Sequence, residues 1–320
     1  MTIKKTRKNK KYNLVYMAKP VYGGWVSFTS HLALKKKYSL YRISNKTESK
    51  ERPYGYGVSY RNLSIDDLVK LPNLLITAVD KKYYQYLPKI RNATIVIHDP
   101  TELKEEVLDF IRRNRVITIR QTVQKLLKTK YGISSRFLYH PFYEFPIKQN
   151  SISSKTSNIS ISRVDFDKNT HVVVATNDRL PKKRQVQIYG ALNDLYVYHK
   201  LRHTNFKKYY RGKFGKEFED LKKLLETCRY MVDLSSIKND GGGSQYTFLE
   251  AIYMGCVLVL NSKWVDSVKT PFKNNINCFV VDGSEDLIKL LRTDITGTKQ
   301  RKMITAAKKL LSSHTTARGW

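Results

Sequence analysis

The sequence predicts an α/β protein of two similar halves, each a parallel sheet covered by helices on both faces, with a central cleft between them. Three observations predict it. Short apolar runs of strand length alternate with amphipathic stretches of helix length along most of the chain. A Ser/Asn-rich stretch near residue 150 interrupts that alternation once. In each half, a strand-like run leads through glycines into a helix, the opening of a Rossmann-like unit. With 320 residues, the chain has room for two cores of ordinary size.

In order along the chain, YNLVYMA (12–18) is a compact apolar strand. Gly23 and Gly24 break it, and Val26, Phe28 and Leu32 follow at helical spacing. LPNLLITAV and ATIVIHD read as buried strands, LKEEVLDFIRRN as an amphipathic helix, VITIR as a strand, and QTVQKLLKTKYG as a helix ending on Gly132. IKQNSISSKTSNISISR, rich in Ser and Asn and without helical periodicity, reads as a linker. After it HVVVATN is expected to be a strand, QVQIYGALNDL a helix and MVDLSS a strand. GGGSQYTFLEAIYMGC is a glycine loop entering a helix, VLVLN and NCFVVDG are strands, and SEDLIKLL is a helix. TKQRKMITAAKKLLSS is a last helix beyond the second sheet. Two such halves place a cleft between their strand C-terminal ends, where open α/β sheets bind ligands.

Composition narrows the function classes. Lys and Arg total 59 against 27 Asp and Glu, a formal net charge of +32, which attracts nucleic acid, an anionic membrane face or an acidic polymer. Cys228, Cys256 and Cys278 stand singly, without CxxC or metal-ligand spacing, so a reduced intracellular protein with no structural zinc is expected. No apolar run reaches transmembrane length, and the basic N-terminus lacks a secretory apolar stretch, so a cytoplasmic location is expected. Oligomeric state leaves no mark in the sequence.

Three segments of the second half, VVVATNDRLPKKR, DGGGSQYTFLEAIYMGCVLVLN and NNINCFVVDGSEDLIKLL, resemble in order the C-terminal domain of GT-B glycosyltransferases, especially retaining family four. In the first half, YMAKPVYGGWVSFTSHL and IVIHDPTEL are similar to segments of phage DNA α-glucosyltransferases. The resemblance implies an N-terminal acceptor domain over residues 1–150, a nucleotide-sugar domain over 151–298 and a basic helix over 299–320. It implies transfer of a sugar from a nucleotide-sugar, UDP-glucose first, onto a hydroxymethylated base in DNA, with retention. Neither metal nor cofactor is implied. A transferase building a surface polysaccharide or virion glycan, and a non-enzymatic nucleic-acid-binding protein, are the alternatives.

Site residues follow from the same segments. Glu250, near the start of its helix, suits the two ribose hydroxyls of a nucleotide, because a carboxylate accepts two hydrogen bonds side by side. Its family pattern pairs it with a glutamate that here falls on Gly242, with Asp240 two residues before. Gly242, Gly243 and Ser244 offer backbone N–H groups at a helix N-terminus, Gln245 and Tyr246 stand beside them, and Gly23 and Gly24 repeat the arrangement in the first half. Arg179, Lys183 and Arg184 are expected after the first strand of the second half, where fixed cations stabilise a departing diphosphate without a metal. Asp165 and Asp167, in DFD, are expected to lie away from the sugar site. His98 and Asp99, at the end of a buried strand, are candidates to activate the acceptor hydroxyl, Asp99 being equally placed to cap the turn before Pro100. Lys207, Lys208, Tyr210, Arg211 and Lys213 interleave cations with aromatics, the composition for phosphate contact with base stacking.

Overall fold

A computed structural model describes residues 11–18, 23–44, 57–147, 154–213, 218–236, 245–267 and 270–320. The chain divides into two compact units, Met1–Tyr143 with Gly319–Trp320, and Glu144–Arg318. The expected two-half α/β architecture is present, one parallel sheet in each unit. The division falls a few residues before the expected position 150, and the last two residues return to the first unit. No helix among the described residues is long and apolar enough to cross a membrane.

The first unit carries β1 (Asn13–Met17), β2 (Ser39–Ile43), β3 (Arg61–Leu63), β4 (Leu74–Val79), β5 (Thr94–Ile97), β6 (Arg115–Thr118) and β7 (Arg136–Phe137) in the order β3-β2-β1-β4-β5-β6-β7. Its strands are near-continuous apolar runs because both faces are covered. Val15, Met17, Ile76, Ile95 and Ile97 pack against Val107, Phe110 and Ile111 of helix α2 (Glu105–Arg113) and Val123 and Leu127 of α3 (Gln121–Tyr131). The chain runs outward from β1 to β3 and then returns to lay β4 on the other side of β1. That reversal opens a crevice at the C-terminal ends of β1 and β4. Helix α1 (Gly24–Lys36) starts there, directly after β1.

The second unit carries β8 (Ser157–Ile161), β9 (Val186–Tyr189), β10 (Cys228–Asp233), β11 (Val257–Asn261) and β12 (Phe279–Val281), ordered β12-β11-β10-β8-β9. Its reversal, and so its crevice, lies between β8 and β10. Three expectations are corrected here. The serine-rich stretch contains β8, a buried strand, because Ile159 and Ile161 alternate with small polar residues that a central strand can enclose. HVVVATN is not a strand but most of helix α4 (Thr170–Asp178). Its Val173 and Val174 pack into the core, while the Asn177 side chain bonds the backbone of Val186 at both N and O. Burial and that anchoring override the strand preference of a β-branched run. QVQIYGALNDL holds β9, whose buried residues alternate, rather than a helix.

The longer helices that follow α4 in the second unit are α5 (Phe218–Thr227), α6 (Tyr246–Tyr253), α7 (Ser284–Arg292) and α8 (Gly297–Leu310). Helix α8 does not stand apart from the domain before it. Met303 and Ile304 belong to the same core as Val232, Val257 and Val259.

Gly190 fixes how closely β8 and β9 approach at their C-terminal ends. Its φ is +150°, and a Cβ there would stand 1.7 Å from the Ser162 carbonyl oxygen. Gly190→Ala is expected to cost about 1–3 kcal/mol in backbone displacement and strain. Chemical denaturation checks it; an unchanged midpoint and slope would show that the two loops part freely.

Candidate functional site

At the β8/β10 crevice, the chain leaving β8 is pinned before α4 begins. Val164 N–H bonds the Ala191 carbonyl at 2.8 Å, and the Asp165 side chain accepts from Phe166 N–H and from Asn193 Nδ2, each at 2.8 Å. Asn169 takes the left-handed conformation (φ 50°) and donates from Nδ2 to the Leu234 carbonyl at 2.7 Å and to Ser236 Oγ at 3.1 Å. These bonds stitch the β8 loop to the loops that follow β9 and β10, and set two cations at the strand ends. Lys168 is buried, and its Nζ donates to Ser235 Oγ at 2.9 Å and pairs with Asp167 at 3.5 Å. Arg163 is exposed and pairs with Asp165 at 3.1 Å and Asp167 at 3.9 Å. The DFD carboxylates therefore stand within this crevice, contrary to expectation, as counter-ions to its cations.

Sequence reading missed Arg163 and Lys168 because it placed the first strand one element late. The signal lay in NISISRVDFDK, where the alternating Ile159 and Ile161 precede a basic residue. The same displacement misplaced Arg179, Lys183 and Arg184. They follow helix α4, not the first strand, and so sit where β9 begins, at the opposite edge of the sheet. Arg184 forks onto Asp294 at 2.6 and 2.7 Å, Arg229 joins it at 3.3 Å, Arg179 pairs with Glu285, and Lys183 is exposed. Asp294 is consequently held down at about 2 by Arg184 and Arg229. These arginines tie α7 and the turn after it to the sheet; they do not reach the crevice.

Helix α6 follows β10 and opens at the crevice edge. Gln245 occupies its N-cap position without a side-chain capping bond, and its Nε2 is buried without a partner among the described residues. Tyr246 and Glu250 are both buried, Glu250 at 3% exposure. Burial, and then the Glu250 charge, push the Tyr246 phenol well above its ordinary range. Gly242, Gly243 and Ser244 lie outside the described residues.

In the first unit, Gly23 and Gly24 are exposed at the start of α1. Gly23 has φ +98°, and its carbonyl accepts from Val26 and Ser27 N–H at 3.1 Å. His98 directly follows β5 and is buried, with Nε2 2.7 Å from the Thr77 carbonyl. A carbonyl can only accept, so Nε2 carries the proton and Nδ1 is left as the basic nitrogen. Burial lowers the imidazole to about 4, so it is neutral near pH 7. Asp99 performs the capping role, accepting from Thr101 N–H at 2.8 Å and from the Thr101 hydroxyl. Sequence reading overlooked Glu102, which joins both elements. It accepts from Trp25 Nε1 at 3.0 Å and from His98 N–H at 3.1 Å, and burial lifts its carboxyl to about 8.

The expected base-stacking aromatics turn inward. Phe206 and Tyr209 are buried, and Tyr210 stacks on Phe206 at 5.0 Å with its hydroxyl on the Gly190 carbonyl at 2.7 Å. Tyr210 is thus a packing residue, since its hydroxyl and one face are committed within the unit. Lys207, Lys208, Arg211 and Lys213 remain exposed.

Neither the family models nor the curated proteins give a match to this chain. Solved structures do. An alpha-glucosyltransferase in complex with UDP and a 13-mer DNA containing an HMU base matches with TM-score 0.75 at 14% identity, over 96% of each chain. The alpha-glucosyltransferase in complex with UDP-glucose and DNA containing an abasic site matches with TM-score 0.71 at 13% identity, over 95% of each. Anabaena Alr3699/HepE in complex with UDP matches with TM-score 0.64 at 12% identity, again over 95% of each. At this identity the likeness establishes the fold, the two-domain GT-B glycosyltransferase architecture.

Proposed function

We propose that this chain is a glycosyltransferase that moves glucose from UDP-glucose to the hydroxyl of a hydroxymethylated base in DNA, acting in the cytoplasm. The observation that carries the donor half is the pair of cations at the β8/β10 crevice, Lys168 and Arg163, at the edge where α6 opens with Glu250. In the reaction the bond from the sugar anomeric carbon to the diphosphate oxygen breaks, and UDP leaves with the electron pair. The acceptor hydroxyl oxygen bonds the same carbon and its proton passes to a base, for which Asp99 and His98 Nδ1 are the candidates. Charge grows on the departing diphosphate, and fixed cations stabilise it without reorganising. Glu250 takes the ribose hydroxyls. Retention and the absence of a metal requirement belong to the same reading.

Two things support DNA as acceptor: the net charge of +32, and the architecture shared with glucosyltransferases held in complex with DNA. The base would leave the stack to reach the reacting centre.

Mass spectrometry of hydroxymethylated DNA incubated with UDP-glucose tests it, a gain of one hexose per modified base being expected. Turnover on a glycan acceptor with no gain on DNA would overturn the acceptor half. Calorimetry showing no UDP binding would overturn the donor half. Glu250→Gln is expected to weaken UDP about tenfold, the loss of one charged hydrogen-bond acceptor, with DNA affinity unchanged. Arg184→Ala, on the far edge, is expected to bind UDP as the wild type does.

A further inference from the structure

We propose that Asp233 and Ser235 form a positioning relay that sets the Lys168 ammonium at the β8/β10 crevice. This rests on the donor reading above. Lys168 Nζ donates to Ser235 Oγ at 2.9 Å, and the Ser235 hydroxyl in turn donates to Asp233 Oδ1, which also accepts Ser235 N–H at 2.9 Å. All three residues are at least nine-tenths buried. One hydroxyl therefore connects a buried cation to a buried carboxylate, and each bond fixes the direction of the next.

The unused oxygen of Asp233 is what sets this apart from ordinary packing. Oδ2 is buried with no hydrogen-bond partner among the described residues. A half-satisfied buried carboxylate is costly, and an asparagine or a small apolar residue at the end of β10 would fold at lower cost. The charge has a purpose if it keeps the Lys168 side chain aimed through the Ser235 hydroxyl. An ammonium has three N–H donors on a flexible stem. Ser235 takes one at good distance, and Asp167 holds the group at 3.5 Å, too long for a strong bond. That leaves donor capacity for a diphosphate oxygen. The relay also crosses the switch point itself, since Lys168 follows β8 and Ser235 follows β10. Without the hydroxyl, the ammonium would turn onto Asp167, whose carboxylate already stands 3.5 Å away.

The test is a double-mutant cycle read by UDP calorimetry on the full chain. Ser235→Ala is expected to weaken UDP about tenfold, and Ser235→Thr, which restores the hydroxyl, to stay within about twofold of wild type. Asp233→Asn keeps the shape and is expected to match Ser235→Ala, so the inference does not hang on one variant folding. In a Lys168→Met background, Ser235→Ala is expected to have no further effect. A purely structural role would give additive losses and no rescue by threonine. Additive losses, or wild-type affinity in both Ser235→Ala and Asp233→Asn, would overturn the relay. Wild-type UDP affinity in Lys168→Met would instead overturn the donor reading on which it rests.

Discussion

Lys168→Met is expected to lower kcat/KM for UDP-glucose by about 10²–10³-fold, the loss typical when one preorganised group facing developing charge is removed. The methionine keeps most of the stem volume, so the loop after β8 retains its bonds to Ala191, Leu234 and Ser236. What disappears is one positive charge in a buried setting, where water screens little. Asp167 keeps Arg163 as a counter-ion and Asp233 keeps the Ser235 hydroxyl, so both nearby carboxylates remain partnered. Arg163→Ala should fall about tenfold, and less at high salt, because that guanidinium is 66% exposed and its field is screened. Initial rates over a range of UDP-glucose concentrations separate the two variants. Equal losses from both, or no loss from Lys168→Met, would remove the diphosphate role from the crevice.

This ranking was reachable only through the fold. The architecture was legible in the sequence, because strands buried on both faces write themselves as apolar runs such as LVYM, LLITA and VLVL. The site was legible in part. The helix that carries Glu250 starts where the pattern placed it. The cations did not, for a single reason: β8 spells its burial with Ser and Asn between isoleucines, and composition made it look like a linker. The next helix begins with a valine run that mimics a strand, so the cations expected after the first strand were read as Arg179, Lys183 and Arg184, whereas Arg163 and Lys168 are the ones that follow it. Tyr210 was misread in a related way. Interleaved cations and aromatics do not reveal which side chains face in, and here the rings pack while the cations stay in water. Glu102 was invisible because its importance lies in contacts with Trp25, seventy-seven residues away in sequence.

Glu102 gives the second large effect, on stability rather than rate. Burial, with the Asp99 charge adding to it, raises its carboxyl to about 8 from an ordinary 4.5, overcoming the bonds from His98 and Trp25 that pull the other way. The folded first unit then keeps a proton that the unfolded chain has already released, so stability declines as pH rises from about 4.5 through about 8. His98 acts oppositely. Its folded value of about 4 lies below the ordinary 6.5, so the stability of its neutral buried state is lost as pH falls from 6.5 through 4. Between pH 4.5 and 6.5 the two slopes offset. Above 6.5 Glu102 acts alone, at about 1.4 kcal/mol per pH unit, or about 2 kcal/mol by pH 8. Wild-type melting temperature is therefore expected to hold level from pH 4.5 to 6.5 and to drop between 6.5 and 8. Glu102→Gln cannot titrate and should lose that drop while keeping the acid-side fall that His98 causes. Melting curves of the two proteins at matched ionic strength isolate the carboxyl, since every other group titrates in both. Parallel curves across pH 6.5–8 would mean that Glu102 is already ionised in the folded unit, with water reaching it beside Trp25.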